Sequence, residues 1–232
     1  MKPSVSIVVM AYNEEKNIIP SVKGLTSNLK YVVSDYEIII VDDGSRDDTG
    51  KIVDKLAVKN KKIKVLHHKI NQGFGNSFKD GIRHASKDYV VGFPGDNDTS
   101  SLSLKHMVEK IGKTDLIISY TKNTHKRSLP RRILSKGYIL MMNFIFRLGL
   151  RYYNGSFICK TSLLRSVPLY CRGMAIYSEA KVRLIKSGSS FIEVPFEHIG
   201  RKYGVSKAVS LNSVIDTLAT VLVLVKDIYL PH

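Results

Sequence analysis

The feature that most constrains the fold is a repeated alternation of short β-branched runs and helical patterns over the first half of the chain. The runs are almost continuously apolar, end in loop-forming residues, and cover Val5–Met10, Glu37–Val41, Lys62–Leu66 and Tyr89–Phe93. Strands of this kind are buried on both faces, which is typical of a parallel sheet covered by helices. The alternation therefore predicts an α/β fold with right-handed crossovers.

The predicted elements extend beyond these four strands. Helical patterns follow the first three runs, to about Leu29, from about Asp48 to Val58, and to about Ala85. Asp115–Tyr120 and Ser190–Val194 are further strand candidates. No internal repeat or low-complexity linker interrupts the 232 residues. We therefore expect one domain over residues 1–207, with halves 1–120 and 121–207, and a C-terminal apolar helix over 208–232.

The net positive charge of the chain indicates an anionic partner. It has 36 Lys and Arg residues against 20 Asp and Glu, a net charge of +16. Many of the basic residues lie between Lys122 and Arg151 and between Lys181 and Lys207, while the acidic residues favour the first half. Nucleic acid, a phosphorylated ligand and an anionic membrane surface all fit such a charge. Aromatic residues are sparse in the basic stretch 122–132, which favours phosphate or membrane contact over nucleic acid. The two cysteines form neither a metal spacing nor a disulfide framework, which fits a reducing compartment.

Two segments of the second half are strongly apolar and carry basic residues nearby. They cover 129–150 and 211–230. Neither contains the roughly 20 consecutive apolar residues that are needed to span a bilayer. Either can be an ordinary core helix or can lie in a membrane interface, and both interpretations stay open.

Four polar loops follow the first four predicted strands. They are Tyr12-Asn13-Glu14, Asp42-Asp43-Gly44-Ser45, Asn71-Gln72-Gly73 and Asp96-Asn97-Asp98. The loops after parallel strands emerge at one edge of the sheet, so we expect a single cleft. An aromatic ring beside carboxylates suits a nucleoside, and paired carboxylates suit a hard divalent cation that also binds phosphate. A turn with a helix cap explains the second loop alone, but not all four.

These residues resemble family 2 glycosyltransferases of the GT-A fold, over about the first 120 residues. The resemblance lies in Ala11–Glu14, in Val41–Ser45 with Asp48-Thr49, in the Asn71, Gly73 and Gly75 pattern, and in Asp96-Asn97-Asp98. The stretch 201–207 is similar to the Arg-x-x-Gly-x-Ser-Lys signature of polyprenyl-phosphate glycosyltransferases such as dolichol-phosphate mannose synthase. In that subfamily an Arg and a Ser one turn apart open an interfacial helix, here expected at about 129–150.

The resemblance implies a role for each matching residue. Tyr12, Glu14, Asp42 and Gly73 would hold the nucleoside end of a GDP- or UDP-sugar. Asp96 and Asp98 would bind Mg²⁺ or Mn²⁺ at the diphosphate and, with Arg201, form the catalytic set. The phosphate of a polyprenyl lipid would lie on Arg131, Ser135, Arg201 and Lys207.

The resemblance further implies inverting transfer at the cytoplasmic face of a membrane, by a peripheral or monotopic protein that binds no nucleic acid. An ionised acceptor phosphate needs no strong general base.

The sequence also departs from the family pattern. Asn154 stands where an acidic segment is common, and Thr99-Ser100 leave the third protein ligand of the metal undefined. Glu179 is interpreted as a solvated helix carboxylate. It is also the one obvious base for an alternative reaction, transfer to a sugar or glycolipid hydroxyl. His67-His68 looks like a metal pair, but neighbouring strand residues point to opposite faces, so we interpret it as structural.

A different class of function is also open. A basic protein that binds RNA or anionic lipid through a degenerate nucleotide site would have the same composition.

Overall fold

The described part of the chain, residues 2–124, 129–200, 203 and 211–230, forms a seven-stranded sheet between helices in this computed structural model. The strands are β1 (Ser4–Ala11), β2 (Asp35–Asp42), β3 (Ile63–His67), β4 (Tyr89–Pro94), β5 (Leu116–Thr121), β6 (Phe157–Lys160) and β7 (Phe191–Phe196). The helices are α1 (Ile18–Leu29), α2 (Thr49–Lys59), α3 (Phe74–His84), α4 (Ser101–Val108), α5 (Leu129–Phe146), α6 (Thr161–Arg165), α7 (Ile176–Lys186) and α8 (Leu211–Tyr229).

The sheet is mostly parallel, as predicted, with the strand order β3-β2-β1-β4-β6-β5-β7. All neighbouring pairs run parallel except those of β6, which is antiparallel to both β4 and β5. The candidates at 115–120 and 190–194 are confirmed as β5 and β7, which pair in parallel. Strand β6 was not predicted, because four residues are too few to display a periodicity.

Both faces of the sheet are covered, which explains the continuous apolar runs. Along β1, Val8 and Met10 lie in one core cluster with Phe78 of α3. Their neighbours Ile7 and Val9 lie in the other cluster, against α1 and α4. Because successive strand residues point to opposite faces, a strand between two helical layers must be apolar at every position.

Helix α5 ends at Phe146, four residues before the predicted end at 150. The chain turns there because Arg147 and Gly149 adopt positive φ angles of 53° and 68°. The Asn143 side chain holds the turn: its amide nitrogen donates to the Leu150 carbonyl at 2.9 Å, and its oxygen accepts from the Leu150 N–H at 2.9 Å. The apolar pattern continues through the turn because Leu148 packs against the core and Leu150 is buried in it.

Helix α8 is part of the same domain. The Tyr229 ring stacks on Phe146 of α5 with 6.3 Å between ring centroids. An ion pair of 2.8 Å joins Arg183 of α7 to Asp227 of α8. The ends of the predicted segment, 208–210 and 231–232, lie outside the described residues. None of the helices described is both long and apolar enough to cross a membrane.

Two helical glycines give a matched test of the packing. In Gly81→Ala of α3 the new methyl group meets the side chain of the fully buried Val8. We expect the free energy of unfolding to fall by about 1–3 kcal/mol, because overpacking outweighs the gain in helix propensity. In Gly137→Ala of α5 the methyl group meets nothing within 4 Å, so stability should rise by about 1 kcal/mol. Urea unfolding of both variants measures the difference, and equal effects would contradict the packing described.

Candidate active site

The four polar loops meet at one edge of the sheet, as predicted. The Gly95 N–H donates to the Met10 carbonyl at 2.9 Å, which joins the loop after β4 to the end of β1. The Asp43 N–H donates to the Ala11 carbonyl at 2.8 Å, which joins the loop after β2 to the last residue of β1. These bonds form because the three strands are neighbours and end at the same level. Candidate residues that lie between Tyr12 and Asp98 in the sequence thus share one edge of the cleft.

The first loop is anchored on the start of α2. The Glu14 N–H donates to the Thr49 hydroxyl at 2.7 Å, and the Glu14 carboxylate accepts from the Asn17 amide at 2.7 Å. Glu14 is buried, whereas Tyr12 is half-buried. Of the two groups that were expected to face a nucleoside, the carboxylate is therefore anchored, and the ring two residues before it is partly exposed.

The second loop carries two buried carboxylates with different partners. Asp42 accepts from the Ser45 N–H at 3.1 Å, and its other oxygen lies 2.9 Å from Nδ1 of His67. Asp43 accepts the N–H groups of Gln72 and Gly73 at 2.8 and 2.9 Å. Asp43 therefore braces the third loop against the second, a role that the sequence did not indicate.

The third loop requires glycine for two different reasons. Gly73 has a φ angle of 93°, in the region that side chains disfavour. Gly75 donates its N–H to the Arg172 carbonyl at 2.7 Å, and a side chain there would lie 2.5 Å from the Cys171 carbonyl oxygen. The loop before α7 thus closes directly on the start of α3.

The fourth loop presents the two carboxylates that were expected to bind metal. Asp96 and Asp98 are half-buried, and the Asp98 N–H donates to the Asp96 carboxylate at 3.1 Å. Nδ1 of His198, after β7, lies 3.1 Å from the Asp98 carboxylate. The Ile199 N–H also donates to the Asp98 carbonyl, at 2.9 Å. His198 was missed because 100 residues of sequence separate it from Asp98 and no local pattern marks it.

A cavity of about 610 Å³ connects these carboxylates to α5 and α8. Its polar lining includes Asp96, Asp98, Arg131, Ser135 and His198. Its apolar walls come from both helices and the loop before α7, through Ile133, Leu134, Met141, Met174, Val214 and Leu218. The structure therefore brings Arg131 and Ser135 into one space with the Asp pair. The predicted nucleoside residues lie on the adjoining loops, outside this lining: Tyr12, Glu14, Asp42 and Gly73.

The chemistry of the Asp pair fits a hard divalent cation bound together with a ligand. Carboxylate oxygens are the donors that Mg²⁺ and Mn²⁺ prefer, and Asp96 and Asp98 face an open cavity. In the described ranges, no group of three His, Cys, Asp or Glu side chains converges as a set of metal ligands. Mg²⁺ is usually bound by one or two carboxylates together with waters and the phosphate oxygens of a ligand, which the Asp pair fits.

Arg201 and Lys207 lie outside the described residues, so the structure gives no geometry for them. Tyr203, between them in sequence, is described. Its carbonyl accepts from the Asn17 amide at 3.2 Å, and the Lys16 ammonium lies 5.9 Å from the centroid of its ring. This contact joins Tyr203 to the first loop.

Glu179 is not the solvated carboxylate that the sequence suggested, because it is fully buried. It accepts the backbone N–H groups of Tyr170 and Cys171, at 2.9–3.1 Å, and pairs with Arg183 at 3.2 Å. It is not among the residues that line the cavity. A carboxylate tied in this way holds the loop before α7 and is badly placed to act as a base.

The wall of the cavity formed by 152–156 rests on a buried lysine. Lys181 is fully buried, and its ammonium donates to the carbonyls of Tyr153 and Gly155 at 2.7 and 2.6 Å. Burial lowers the pKa of Lys181 to about 7. Asn154, where relatives have an acidic segment, lines the cavity and accepts from the Ser178 hydroxyl at 2.8 Å. This part of the wall is therefore held by hydrogen bonds without a carboxylate.

Sequence comparison finds glycosyltransferases among the relatives of this chain. It is 34% identical over 118 residues to the protein named uncharacterized glycosyltransferase EpsJ of Bacillus subtilis, covering 51% of this chain and 33% of that protein. It is 29% identical over 134 residues to glycosyltransferase AglD of Haloferax volcanii, covering 57% of this chain and 21% of that protein. The chain thus spans a third or less of the length of these curated relatives.

Structure comparison finds the same fold in glucosyl-3-phosphoglycerate synthase of Mycobacterium tuberculosis. Its complex with UDP superposes with a TM-score of 0.71 at 17% identity, over 96% of this chain and 80% of that one. Its complex with Mn²⁺, UDP and glucosyl-3-phosphoglycerate gives a TM-score of 0.69 at 18% identity, over 99% and 81%. At these identities the likeness concerns the fold, which is the GT-A fold expected from the motifs.

The family model described as Glycosyl transferase family 2 matches residues 6–183. The match begins in β1, ends in α7, and includes all four loops at the cleft edge. Because it covers more than half of the chain, and the fold agrees with it, this chain belongs to glycosyl transferase family 2.

Proposed function

We propose that this chain is a metal-dependent, inverting glycosyltransferase that moves a sugar from a nucleotide-diphosphate sugar to a polyprenyl phosphate at a membrane surface. One observation carries the proposal: a single cavity joins the Asp96 and Asp98 carboxylates to Arg131, Ser135 and the apolar walls of α5 and α8. Along that cavity the carboxylates suit a metal–diphosphate, Arg131 and Ser135 suit an anionic acceptor group, and the apolar walls suit a hydrocarbon chain.

The donor would bind along the first three loops. Tyr12 can stack on the base, while Glu14 and Asp42 accept hydrogen bonds from ribose hydroxyls or a base N–H. Gly73, whose position leaves no room for a side chain, allows the close approach of the donor to the backbone. The solved neighbours bind UDP, which supports a UDP-sugar, but Asp42 suits guanine as well as uracil.

Asp96 and Asp98 would hold a Mg²⁺ or Mn²⁺ ion, the metals present in the solved neighbours. When bound, such an ion offsets the negative charge that develops on the leaving diphosphate. His198 lies against Asp98 and would fix the orientation of that carboxylate.

The acceptor phosphate would lie between the donor and α5. Arg131 and Ser135 line the cavity one helical turn apart, and Arg201 and Lys207 are the further cations we assign to this phosphate. A phosphate monoester is mostly ionised at neutral pH and is already a nucleophile, so the protein needs to position it rather than deprotonate it. In-line attack by this oxygen on the sugar carbon inverts the anomeric configuration. The burial of Glu179 supports this assignment over the hydroxyl-acceptor alternative.

The exposed faces of α5 and α8 support a lipid acceptor. Large apolar side chains are exposed on α5 at Leu140 and Phe144, to 70% and 86%, and on α8 at Ile215 and Leu222, to 56% and 70%. Apolar side chains on helices with basic residues nearby are typical of helices that lie in a membrane interface. The polyprenyl chain would then pass from the cavity into the lipid. We assign the protein to the cytoplasmic face of such a membrane, without contact to nucleic acid.

An acceptor series tests the proposal. Purified protein with Mg²⁺ or Mn²⁺ is given UDP- and GDP-sugars together with a polyprenyl phosphate, the matching free prenol, or 3-phosphoglycerate. We expect transfer only to the polyprenyl phosphate. Transfer to the free prenol would show that the basic side chains assigned to the acceptor phosphate are not needed. Transfer to 3-phosphoglycerate alone would show that the acceptor is a small phosphorylated molecule and not a lipid. RNA or lipid binding without transfer from any donor would favour the binding-protein interpretation.

Two neighbouring arginines supply the matched variants. Arg131 lines the cavity, whereas Arg132 does not. We expect Arg131→Ala to raise the KM for polyprenyl phosphate about 30-fold, because a charge-assisted hydrogen bond to phosphate is lost. Arg132→Ala should leave the KM within about twofold, since a single surface charge contributes little. Equal effects of the two substitutions would remove Arg131 from the acceptor site.

A further inference from the structure

His67 and His68, at the end of β3, each lie between two carboxylates. Nδ1 of His67 is 2.9 Å from Asp42, and its Nε2 is 3.0 Å from Asp54 of α2. Nδ1 of His68 is 2.7 Å from Asp43, and its Nε2 is 2.9 Å from Asp80 of α3. The two rings point to opposite faces of the sheet, as the sequence predicted. Each therefore links one carboxylate of the second loop to one of the helices that flank the sheet.

The geometry sets the protonation state of the His67 ring. A neutral imidazole has one N–H donor and one acceptor nitrogen, so it can bind only one of two carboxylates. A ring with a carboxylate oxygen within 3.0 Å of each nitrogen satisfies both only as an imidazolium. Burial alone would lower the pKa of His67, but the hydrogen bonds to Asp42 and Asp54 outweigh it and raise that pKa above its usual value.

The surroundings of His68 are similar but more enclosed. The side chain of His68 is only 9% exposed, and those of Asp43 and Asp80 are 5% and 18% exposed. Arg83 of α3 also pairs with Asp80, so the charges that face His68 are two carboxylates and, behind one of them, a guanidinium. The His67 side chain is 43% exposed and faces Asp42 and Asp54.

The carboxylates held by the histidines are those that shape the nucleotide end of the cleft. Asp42, the residue assigned to the nucleoside, is fixed by β2, by the Ser45 N–H and by His67. Asp43 holds the N–H groups of Gln72 and Gly73 and is itself held by His68.

We propose that His67 and His68 are positioning residues of the nucleotide site: His67, as an imidazolium ion, ties Asp42 to α2, and His68 ties Asp43 to α3. This inference rests on the proposed function, since it takes the cleft to bind a nucleotide-sugar. When His67 loses its proton, one of its two hydrogen bonds is lost and two carboxylates face a neutral ring. The second loop then loosens, so the affinity for the donor falls as the pH rises through the pKa of His67.

The first test measures the rings directly. Long-range ¹H–¹⁵N correlation spectra of the free protein distinguish imidazolium from the two neutral tautomers. At about pH 7 we expect His67 to give the imidazolium pattern, because a carboxylate oxygen lies against each of its nitrogens. A neutral ring at position 67 would overturn the inference, whatever the protein binds.

The second test measures donor affinity against pH. UDP-glucose and GDP-mannose are titrated calorimetrically with Mg²⁺ present, over a range that ends below the pH at which the uracil and guanine N–H groups lose their protons. From about pH 6 to about pH 8 we expect the Kd of the bound donor to rise about tenfold, as charge-assisted hydrogen bonds are lost. His106→Gln on α4 should keep this slope. Thermal unfolding at each pH checks that the protein stays folded.

Two substitutions of His67 separate positioning from simple loss of structure. In His67→Gln the amide can reach Asp54 but not Asp42, so binding at about pH 6 should already be about tenfold weaker. In His67→Asn the amide takes the place of Nδ1 and can donate to Asp42, so most of the lost affinity should be recovered. Because an amide does not titrate, the contribution of His67 to the pH dependence of the Kd should still be absent. Equal affinities of the two variants would contradict the link to Asp42.

The failure of this inference differs from the failure of the proposed function. If no nucleotide-sugar binds at any pH, the proposed function is wrong and the histidines lose the role assigned to them. If a nucleotide-sugar binds with the same Kd across the whole pH range, the nucleotide site stands and only the inference is overturned.

Discussion

Replacing Asp96 and Asp98 together by Asn should lower kcat/KM for sugar transfer by at least roughly 10³-fold, the largest effect we expect of any substitution in this chain. Both side chains line the cavity, and the amide that replaces each carboxylate keeps its size but not its charge. The cleft then no longer holds the cation that offsets the charge of the leaving diphosphate. Initial rates with the donor and polyprenyl phosphate, at increasing Mg²⁺ or Mn²⁺, measure the loss.

The control for this experiment is Glu109→Gln, an acidic residue at the exposed end of α4. It should leave the transfer rate within about twofold of wild type, because an exposed pair contributes little. Thermal unfolding should confirm that the double variant remains folded. If the double variant transfers sugar at the wild-type rate in saturating metal, neither carboxylate binds the metal, and the assignment of this loop is wrong.

Replacing Glu179 by Gln should lower the free energy of unfolding by about 3 kcal/mol, the largest effect on stability that we expect. Glu179 is fully buried, accepts two backbone N–H groups and pairs with Arg183, which is also paired with Asp227 of α8. A neutral side chain leaves that buried guanidinium with a single carboxylate. Urea unfolding measures the change, and Glu109→Gln should change stability by less than about 0.5 kcal/mol.

The same variant separates the two kinds of acceptor. Well below its melting temperature, Glu179→Gln should keep kcat within about threefold of wild type, because the phosphate acceptor needs no base. A folded variant that loses kcat by about 10³-fold would instead identify Glu179 as the base, and would favour a hydroxyl acceptor. The measurement therefore tests both the structural role of Glu179 and the chemistry of the acceptor.

The strands at the centre of the sheet could be predicted because burial on both faces leaves a continuous apolar signal. β1, β2 and β4 have this form, and the loops that follow them carry the polar residues of the cleft. Strand β6 gave no such signal, because its four residues are too few and its antiparallel pairing depends on the neighbours β4 and β5. Predicting it would have required the sheet order in advance.

The helix ends and the buried charges were harder to predict. α5 stops at Phe146 because the Asn143 side chain holds the following turn, although the apolar pattern continues to Leu150. Glu179 looked like a solvated carboxylate because nothing near it in sequence marks Arg183, Asp227 and the Tyr170 N–H as partners that converge on one buried site. Such burial is decided by contacts between α7, α8 and the loop before them.

The sequence by itself determined the α/β class, the four loops at one sheet edge and the position of Asp96 and Asp98 in one of those loops, because these follow from local periodicity and from the rule that parallel strands end together. Only the tertiary structure decided that Arg131 and Ser135 share a cavity with that pair, that His198 lies against Asp98, and that His67 and His68 hold Asp42 and Asp43. The physical reason is that hydrogen bonds and cavities depend on distances of a few ångströms between elements far apart in sequence, and no local pattern encodes those distances.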